Sequence, residues 1–543
     1  MLHTLTPQTL TSPIADIRRD GERTTISLKP GVHHIVGDFL SERLCAISNN
    51  DSGIKRVLVD LTGARHVDVE GNGAELRIHG LVVPFLLRGA RDVSIRNVTI
   101  DWDRPTLSQG LVEAAREGAV ELRFDAETPF EVASRQLVFT GDRYRSRSLG
   151  YALAFDPKRG ETSYLAPDHF ALRHYHHATQ IGPDRVRLEG DFNGAPPIGS
   201  LLVFSHEGRE APAIAIADCR DIALADIKIY HAAAMGVIAQ GSANLTLTRV
   251  DIMRRPGSER VFSTHADATH FVDCRGRLRI TDCLMENQKD DPCNLHGIFY
   301  PVRAKLGDRT LAAGIGHGQQ AGCVTFAAGD AIAWYDTQSM RRLGASRVAE
   351  VSLINGGMLR VETHDPLPEL PWERLSFMRE DHDIDVAISG CTFRNNRARG
   401  LLVSTLGKVL IEKNHFHVPG AALLFEGDTN YWFESGPVED VEVRDNFFDE
   451  CNYGVWGKAL FQFTPRVPRP EPGLSFHRNI RIHHNRIKAI FYPLLHAESV
   501  EGLSFTENRV EKGDSYPLRL GAAPFSVQPD CSPVVEKGNL IPS

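Results

Sequence analysis

The chain has 543 residues, 42% hydrophobic and 24% charged, which is an ordinary globular composition with length for several structural units and no bias towards disorder. Its formal charge of −8 comes from 61 basic and 69 acidic residues interspersed along the chain, which argues against nucleic acid or a membrane surface as the main partner and suits a neutral, polar small molecule. No apolar run reaches the roughly 18 residues that a bilayer span needs.

The first twenty residues, MLHTLTPQTLTSPIADIRRD, contain no basic segment followed by an apolar one. As written the chain is expected to be cytoplasmic, and secreted or periplasmic if the sequence is a trimmed one. Its nine cysteines are an odd number without CxxC spacing, which reads as free thiols in a reducing compartment.

From Ile26 to Val32 the sequence alternates and then turns at Pro30-Gly31. A short motif then recurs: apolar, any, apolar, two polar residues and a small, amide or apolar sixth. It begins at Val67, Val93, Ile222, Leu245, Leu278, Val386, Val409, Val441, Ile480 and Leu503, with a base spacing of 23. Strand alternation inside a repeat of that length predicts an all-β parallel β-helix, in which each coil buries its apolar side against its neighbours. The sixth position is Asn at 72, 414, 446, 485 and 508 and Val, Ile or Cys in the other copies, predicting one inward column. A stacked amide there satisfies the backbone of a tight bend and of the coil above.

Long spacings mark two insertions. One separates Val98 from Ile222 and contains Ala119–Phe124 and Arg185–Leu188; the other separates Cys283 from Val386 and contains a hairpin around Asn355-Gly356-Gly357. Both read as small antiparallel sheets or barrels grafted onto the helix. The predicted division is 1–104, N-terminal helix; 105–211, first insert; 212–301, central coils; 302–380, second insert; 381–543, C-terminal helix. Extra loops are expected near 254–263 and 427–437, with a proline-stiffened one at 464–473.

The period converts spacing into distance. Residues one coil apart lie about 4.8 Å apart. Asp290 and Asp291 fall 12 and 13 residues after Leu278, at offsets occupied elsewhere by Ala234 and Met235, Ala398 and Arg399, and Ala421 and Ala422 on the second strand of the coil. Asp267, 22 after Leu245, falls at the same place once the loop 254–263 is discounted, and that loop is expected to wall the pocket. Three stacked carboxylates repel, so at least one is expected to hold a proton; acid–base chemistry on a sugar or a divalent cation justifies such a cluster. Inverting glycoside hydrolysis needs one protonated and one ionised carboxyl, about 6.5–9.5 Å apart. Adjacent strand residues face opposite ways, so Asp290 and Asp291 both serve only if the backbone bends, as Pro292 suggests; otherwise one is structural.

Ser263-Thr-His-Ala-Asp-Ala-Thr-His-Phe271, then Cys283-Leu284 leading to Asp290-Asp-x-x-Asn-x-His-Gly297, then Glu426-Gly-Asp-x-x-x-Trp432-x-Glu434-Ser-Gly436 make the chain resemble glycoside hydrolase family 110. These are α-1,3-galactosidases that release terminal α-1,3-linked galactose, including that of blood group B antigens. The resemblance covers nearly the whole chain. It implies a right-handed parallel β-helix with two inserted barrel-like β domains and an inverting exo-acting mechanism without metal or other cofactor. By similarity also to polygalacturonases, it implies Asp290 as general acid, with Asp267 and Asp291 as the bases that position water.

His296, Asn294 and His265 flank the acids as candidates to bind galactose hydroxyls, and Trp432 and Glu434 as candidates to hold the sugar from a lengthened loop. Arg399, with Arg397, is placed to lower the pKa of the bases or to bind substrate. The pairs at His33-His34 and His483-His484 and the group at 174–177 read as solvated or turn residues, because no carboxylate shares a ligand spacing with them. Two other functions compete: a pectin-active hydrolase or calcium-dependent lyase, which calls for more cations than Arg399 beside the acids, and a non-catalytic carbohydrate-binding scaffold. Exposed helix sides and the inserts make a homodimer an open expectation.

Overall fold

The computed structural model describes residues 14–542 except 21, 22, 142, 193, 207 and 522. The reading of the first residues, 1–13, lies outside them. The main body is a parallel β-helix whose coils contribute to one sheet of 20 strands and another of 13.

All ten motif copies stack in register. Val67 pairs with Val93, Val93 with Ile222, Ile222 with Leu245, Leu245 with Leu278 and Leu278 with Val386. The series continues from Val386 to Val409, Val441, Ile480 and Leu503. The apolar positions form one continuous buried core along the helix. Each fully buried Val, Leu or Ile contributes about 1.5–3 kcal/mol, so the stack as a whole stabilises coils that have no core of their own.

Each coil bends just after this strand through a residue in the left-handed region, as at Asn97, Asp226, Arg249, Asp282, Gly390, Lys413, Asp445, His484 and Glu507. The sixth motif position follows the bend. From residue 414 onward it is an asparagine ladder: the backbone N–H of Asn414 donates to Asn446 Oδ1, Asn446 to Asn485 Oδ1, and Asn485 to Asn508 Oδ1, each at 3.0 Å. Their side-chain amides donate to the Ile388, Ile411 and Val443 carbonyls of the preceding coil. Asn539, outside the motif set, extends the ladder. Asn72 does not belong to it. The register shifts there so that Ala74 pairs with Val98, and Asn72 sits exposed in a Gly71–Gly73 bulge, donating to Leu28 O.

The two insertions differ. The first is an open seven-stranded antiparallel sheet with a separate three-stranded sheet, bounded by strands Ser108–Arg116 and Leu201–Phe204 and carrying its own core. The second, from Tyr300–Lys305 to Leu375–Arg379, closes into a six-stranded barrel whose hairpin turns at Gly356-Gly357. Val272 and Ile298 of the helix enter the barrel core, fixing it directly behind the central coils.

The loop 254–263 braces the first insert and lines a cavity there, with Asp101 and Asp125, rather than one containing the three aspartates. Arg255 and Arg260 clamp the buried Asp101, and Val261 and Phe262 enter the core of the first insert. The apolar residues at its end draw it onto the core of the first insert. All nine cysteines are unpaired, eight of them buried.

Candidate active site

The strand Thr269–Val272 pairs with Cys293–Ile298, with Thr269 opposite Cys293, and Cys293 in turn lies opposite Leu401. Two residues before each of these stand Asp267, Asp291 and Arg399. They therefore form one column on three successive coils. The backbone stays hydrogen-bonded through it, with Gly236 N–H on Asp267 O at 3.0 Å and Ala268 N–H on Asp291 O at 2.9 Å.

The aspartate pair lies in the bend before the strand rather than on the strand itself. The chain turns at Lys289, Asp290 and Pro292, so adjacent side chains no longer diverge. Asp267, Asp290 and Asp291 bring one carboxylate oxygen each within 4.8 Å of one another. The bend turns the three carboxyl groups towards one another. Asp267 and Asp291 are buried; Asp290 keeps 14% of its side chain exposed and is the open member.

Each carboxylate has different company. Asp290 lies between two guanidiniums, Arg209 Nη2 at 2.9 Å and Arg397 Nη1 at 3.0 Å. Arg397 is itself held by Asp168 of the first insert, with Nε at 3.0 Å from Oδ1 and Nη2 at 2.5 Å from Oδ2, and lies over the Trp456 ring at 4.2 Å. Asp291 accepts from Arg399 three times, from its backbone N–H at 2.7 Å, Nη2 at 2.6 Å and Nε at 3.2 Å. Asp267 has no guanidinium: Oδ1 accepts the Asp291 N–H at 3.1 Å and Oδ2 meets His270 Nδ1 at 2.6 Å.

These surroundings split the charge. Burial pushes Asp267 up to about 7, and the neighbouring Asp290 charge adds to it. Burial raises Asp291 equally, to about 7, against the pull of Arg399. Burial works the same way on Asp290, but Arg397, Arg209 and Arg399 outweigh it and hold its carboxyl below the usual range. The expected general acid, Asp290, is thus the ionised member of the unliganded trio, because two guanidiniums contact it.

The other predicted residues surround this trio unevenly. His296 donates from Nδ1 to Gly297 O at 2.7 Å, meets His270 at 3.0 Å, and has Nε2 3.6 Å from Glu434 Oε1. Glu434 arrives because Glu434–Ser435 pairs antiparallel with Gly297–Ile298. Its loop is organised by Asp428, which accepts the N–H groups of Asn430, Tyr431, Trp432 and Phe433. Burial pushes Glu434 up to about 8. Trp432, two residues earlier, rests its ring against His317 of the second insert, 4.6 Å away, rather than on the carboxylates. His265 is buried and held neutral by burial and by Arg209, and its Nδ1 has no partner; nor has Asn294 Oδ1.

Arg209, Asp168, His270 and the buried Lys289, which donates to Val203 O, carry no signal in the repeat. Arg209 and Asp168 come from the first insert, and only its folded path brings them here. Arg399 is therefore not the one cation at the site. The guanidiniums of Arg209, Arg397 and Arg399 are nevertheless committed to carboxylates, leaving little free positive charge for an anionic sugar. A second group of ligand-type atoms lies at the surface, where His34 Nδ1 meets His79 Nε2 at 2.8 Å with Asp103 beside them. So a carboxylate does accompany His34, which spacing along the chain does not reveal; Arg77 also lies 3.8 Å from Asp103.

The inserts match two known domain families, GLAA-B beta-barrel domain I over residues 108–202 and GLAA-B beta-barrel domain II over 310–370. The chain is 33% identical over 509 residues to alpha-1,3-galactosidase A of Shewanella woodyi, covering 91% of this chain and 82% of that protein. It is 32% identical over 477 residues to alpha-1,3-galactosidase B of Bacteroides thetaiotaomicron, covering 86% and 77% respectively. Among solved structures, a Yersinia enterocolitica family 28 exopolygalacturonase aligns over 88% of this chain and 72% of its own, at 8% identity and a TM-score of 0.37, too distant for any functional argument. Identity and coverage to the galactosidases settle the matter: the chain belongs to the α-1,3-galactosidase family, glycoside hydrolase family 110.

Proposed function

We propose that the protein is an inverting exo-hydrolase that removes terminal, non-reducing α-1,3-linked galactose from oligosaccharides or glycoconjugates. The observation that carries this reading is a cluster of three carboxyls, in a member of that family, of which Asp290 is held ionised by guanidiniums while Asp267 and Asp291 are raised by burial. Hydrolysis needs one carboxylic acid to protonate the leaving oxygen and one carboxylate to take a proton from water. Asp267 and Asp291 are both pushed up to about 7, Asp267 being the one without a guanidinium partner, and Asp290 is the carboxylate with an open face. In this allocation Asp267 protonates the glycosidic oxygen, Asp290 accepts the water proton, and Asp291, fixed by Arg399, holds that water. The opposite allocation, with Asp290 as acid, requires it to gain a proton between two guanidiniums. The unpartnered polar atoms of His265 and Asn294, and the protonated Glu434, are unspent hydrogen-bonding groups of the kind that sugar hydroxyls satisfy. The resemblance supplies galactose and its linkage; no metal enters this scheme.

A second reading rests on one observation. One oxygen from each carboxylate lies within 4.8 Å of the others, an approach that also suits retaining enzymes, whose carboxyl groups stand roughly 5–5.5 Å apart and which form a covalent glycosyl intermediate. Proton NMR of the first sugar released from an α-1,3-galactosyl oligosaccharide decides. β-Galactose is expected; α-galactose first would establish retention, and no galactose from branched or linear substrates would overturn the galactosidase reading.

A further inference from the structure

We propose that His34, His79 and Asp103 form a binding site for a divalent transition-metal ion of the zinc class, which ties the first coils of the helix to the root of the first insert. One ligand atom from each residue lies within 4.8 Å of the other two. His34 Nδ1 stands 2.8 Å from His79 Nε2, and His79 Nδ1 stands 3.8 Å from Asp103 Oδ2.

The fold assembles this group from three neighbouring strands. His34 belongs to Val32–Val36, His79 ends Arg65–His79, and Asp103 follows directly on Arg91–Trp102. In the register Val36 lies opposite His79 and Ile78 opposite Trp102. Ile35, Ile78 and Trp102 enter the helix core, so strand alternation turns His34, His79 and Asp103 outward together. The backbone N–H of Asp103 donates to Ile78 O at 2.9 Å, which fixes the carboxylate beside the imidazole. The next residue, Arg104, is already embedded in the first insert, where it donates to Thr140 O at 3.0 Å and to Ser108 Oγ at 2.7 Å. An ion held here would therefore pin the point at which the chain leaves the helix.

Two imidazole nitrogens with one carboxylate are a donor set for zinc and its neighbours, whereas calcium and magnesium take oxygen ligands. A tetrahedral ion with ligands about 2.0–2.2 Å away keeps them roughly 3.3 Å apart. That separation falls between the 2.8 Å of the histidine pair and the 4.8 Å that bounds the whole group. His34 and Asp103 are exposed and free to turn onto an ion, while His79 keeps only 12% of its side chain exposed. The Asp103 carboxylate lies 3.8 Å from both His79 and Arg77, too far for a hydrogen bond to either. Arg77 is itself drawn to Glu75, whose Oε1 accepts from its Nε at 3.0 Å. His483 Nδ1 and His484 Nδ1 are also 2.8 Å apart, but among the described residues no carboxylate completes a group with both of them. None of the three residues contacts the aspartates of the candidate active site, so ion binding here is independent of the hydrolytic reading.

Isothermal titration of the untagged full chain with zinc, after treatment with EDTA, tests the site without any substrate. Tight binding of zinc is expected. The double variant His34→Gln with His79→Gln should weaken it by more than about tenfold, since losing even an outer-shell partner costs about 10–100-fold. His484→Gln should leave it unchanged. Zinc should raise the melting temperature of the parent and leave that of the double variant where it is. Cupric ion in place of zinc should give an electron paramagnetic resonance spectrum with coupling to two nitrogens, reduced to one in His34→Gln. Failure of the parent to bind zinc, an affinity unmoved in the double variant, or an equal loss in His484→Gln would overturn the site. If the double variant does not fold, the nitrogen count decides, and two coupled nitrogens retained in His34→Gln would overturn it as well.

Discussion

Replacing the buried Arg397–Asp168 pair should raise the pKa of Asp290 and show which limb of the pH profile it governs. The test variant is Arg397→Met with Asp168→Asn, because Arg397→Met alone leaves Asp168, 2% exposed, as an uncompensated charge. Arg397 Nη1 lies 3.0 Å from Asp290 Oδ1. Two unit charges about 4 Å apart attract by about 4 kcal/mol at an effective dielectric of about 20, equivalent to about 3 pH units. Arg209 remains at 2.9 Å, so a rise of about 1–3 units is expected. The pH dependence of kcat/KM reports groups of the free enzyme. If Asp290 acts as a carboxylate, the acid limb moves up by that amount while the basic limb stays. Upward movement of the basic limb instead would make Asp290 the acid and refute the allocation proposed above. No movement of either limb would refute the claim that Arg397 sets the charge of Asp290.

Two further outcomes follow from buried polar groups. Glu434 holds its proton up to about pH 8 when folded, against an ordinary value of 4.5, so the folded state binds more protons than the unfolded between these pH values. Stability is then unpenalised at low pH and falls as pH rises towards 8; Glu434→Gln should melt with the parent near pH 4 and above it near pH 8.5, and equal melting at both would contradict a buried neutral Glu434. In the ladder, Asn446→Ala removes four hydrogen bonds, two accepted by its Oδ1 from the Asn414 N–H and side-chain amide and two donated by its Nδ2, a loss of about 4 kcal/mol. Contacts in a β-helix are between neighbouring coils, so hydrogen exchange should quicken around residues 409–417 and stay unchanged at 67–100; a uniform change would exclude nearest-coil stabilisation.

Much of this architecture is legible in the sequence because a β-helix repeats its long-range contacts at a fixed interval. Once Leu245, Leu278 and Val386 are recognised as one position, the pairing of the coils and the stacking of Asp267 beside the Asp290–Asp291 pair follow from counting, while the strand register selects Asp291 as its column partner. The asparagine ladder is legible for the same reason. Asn72 misleads because a three-residue bulge changes the count without changing the motif.

The charge state of the site was not legible. Arg209 and Asp168 enter from an insert of about a hundred residues whose return path no periodicity describes, and His270 meets Asp267 and His296 only through the folded strands. The loop 254–263 was visible as an insertion, yet its direction depended on a core into which Val261 and Phe262 fit. By itself the sequence determined the period, the fold and the three carboxyls, since these rest on residues one coil apart. Only the tertiary structure decided which carboxyl is ionised, because a pKa depends on burial and on charges within a few ångströms, and those charges come from segments distant in the chain.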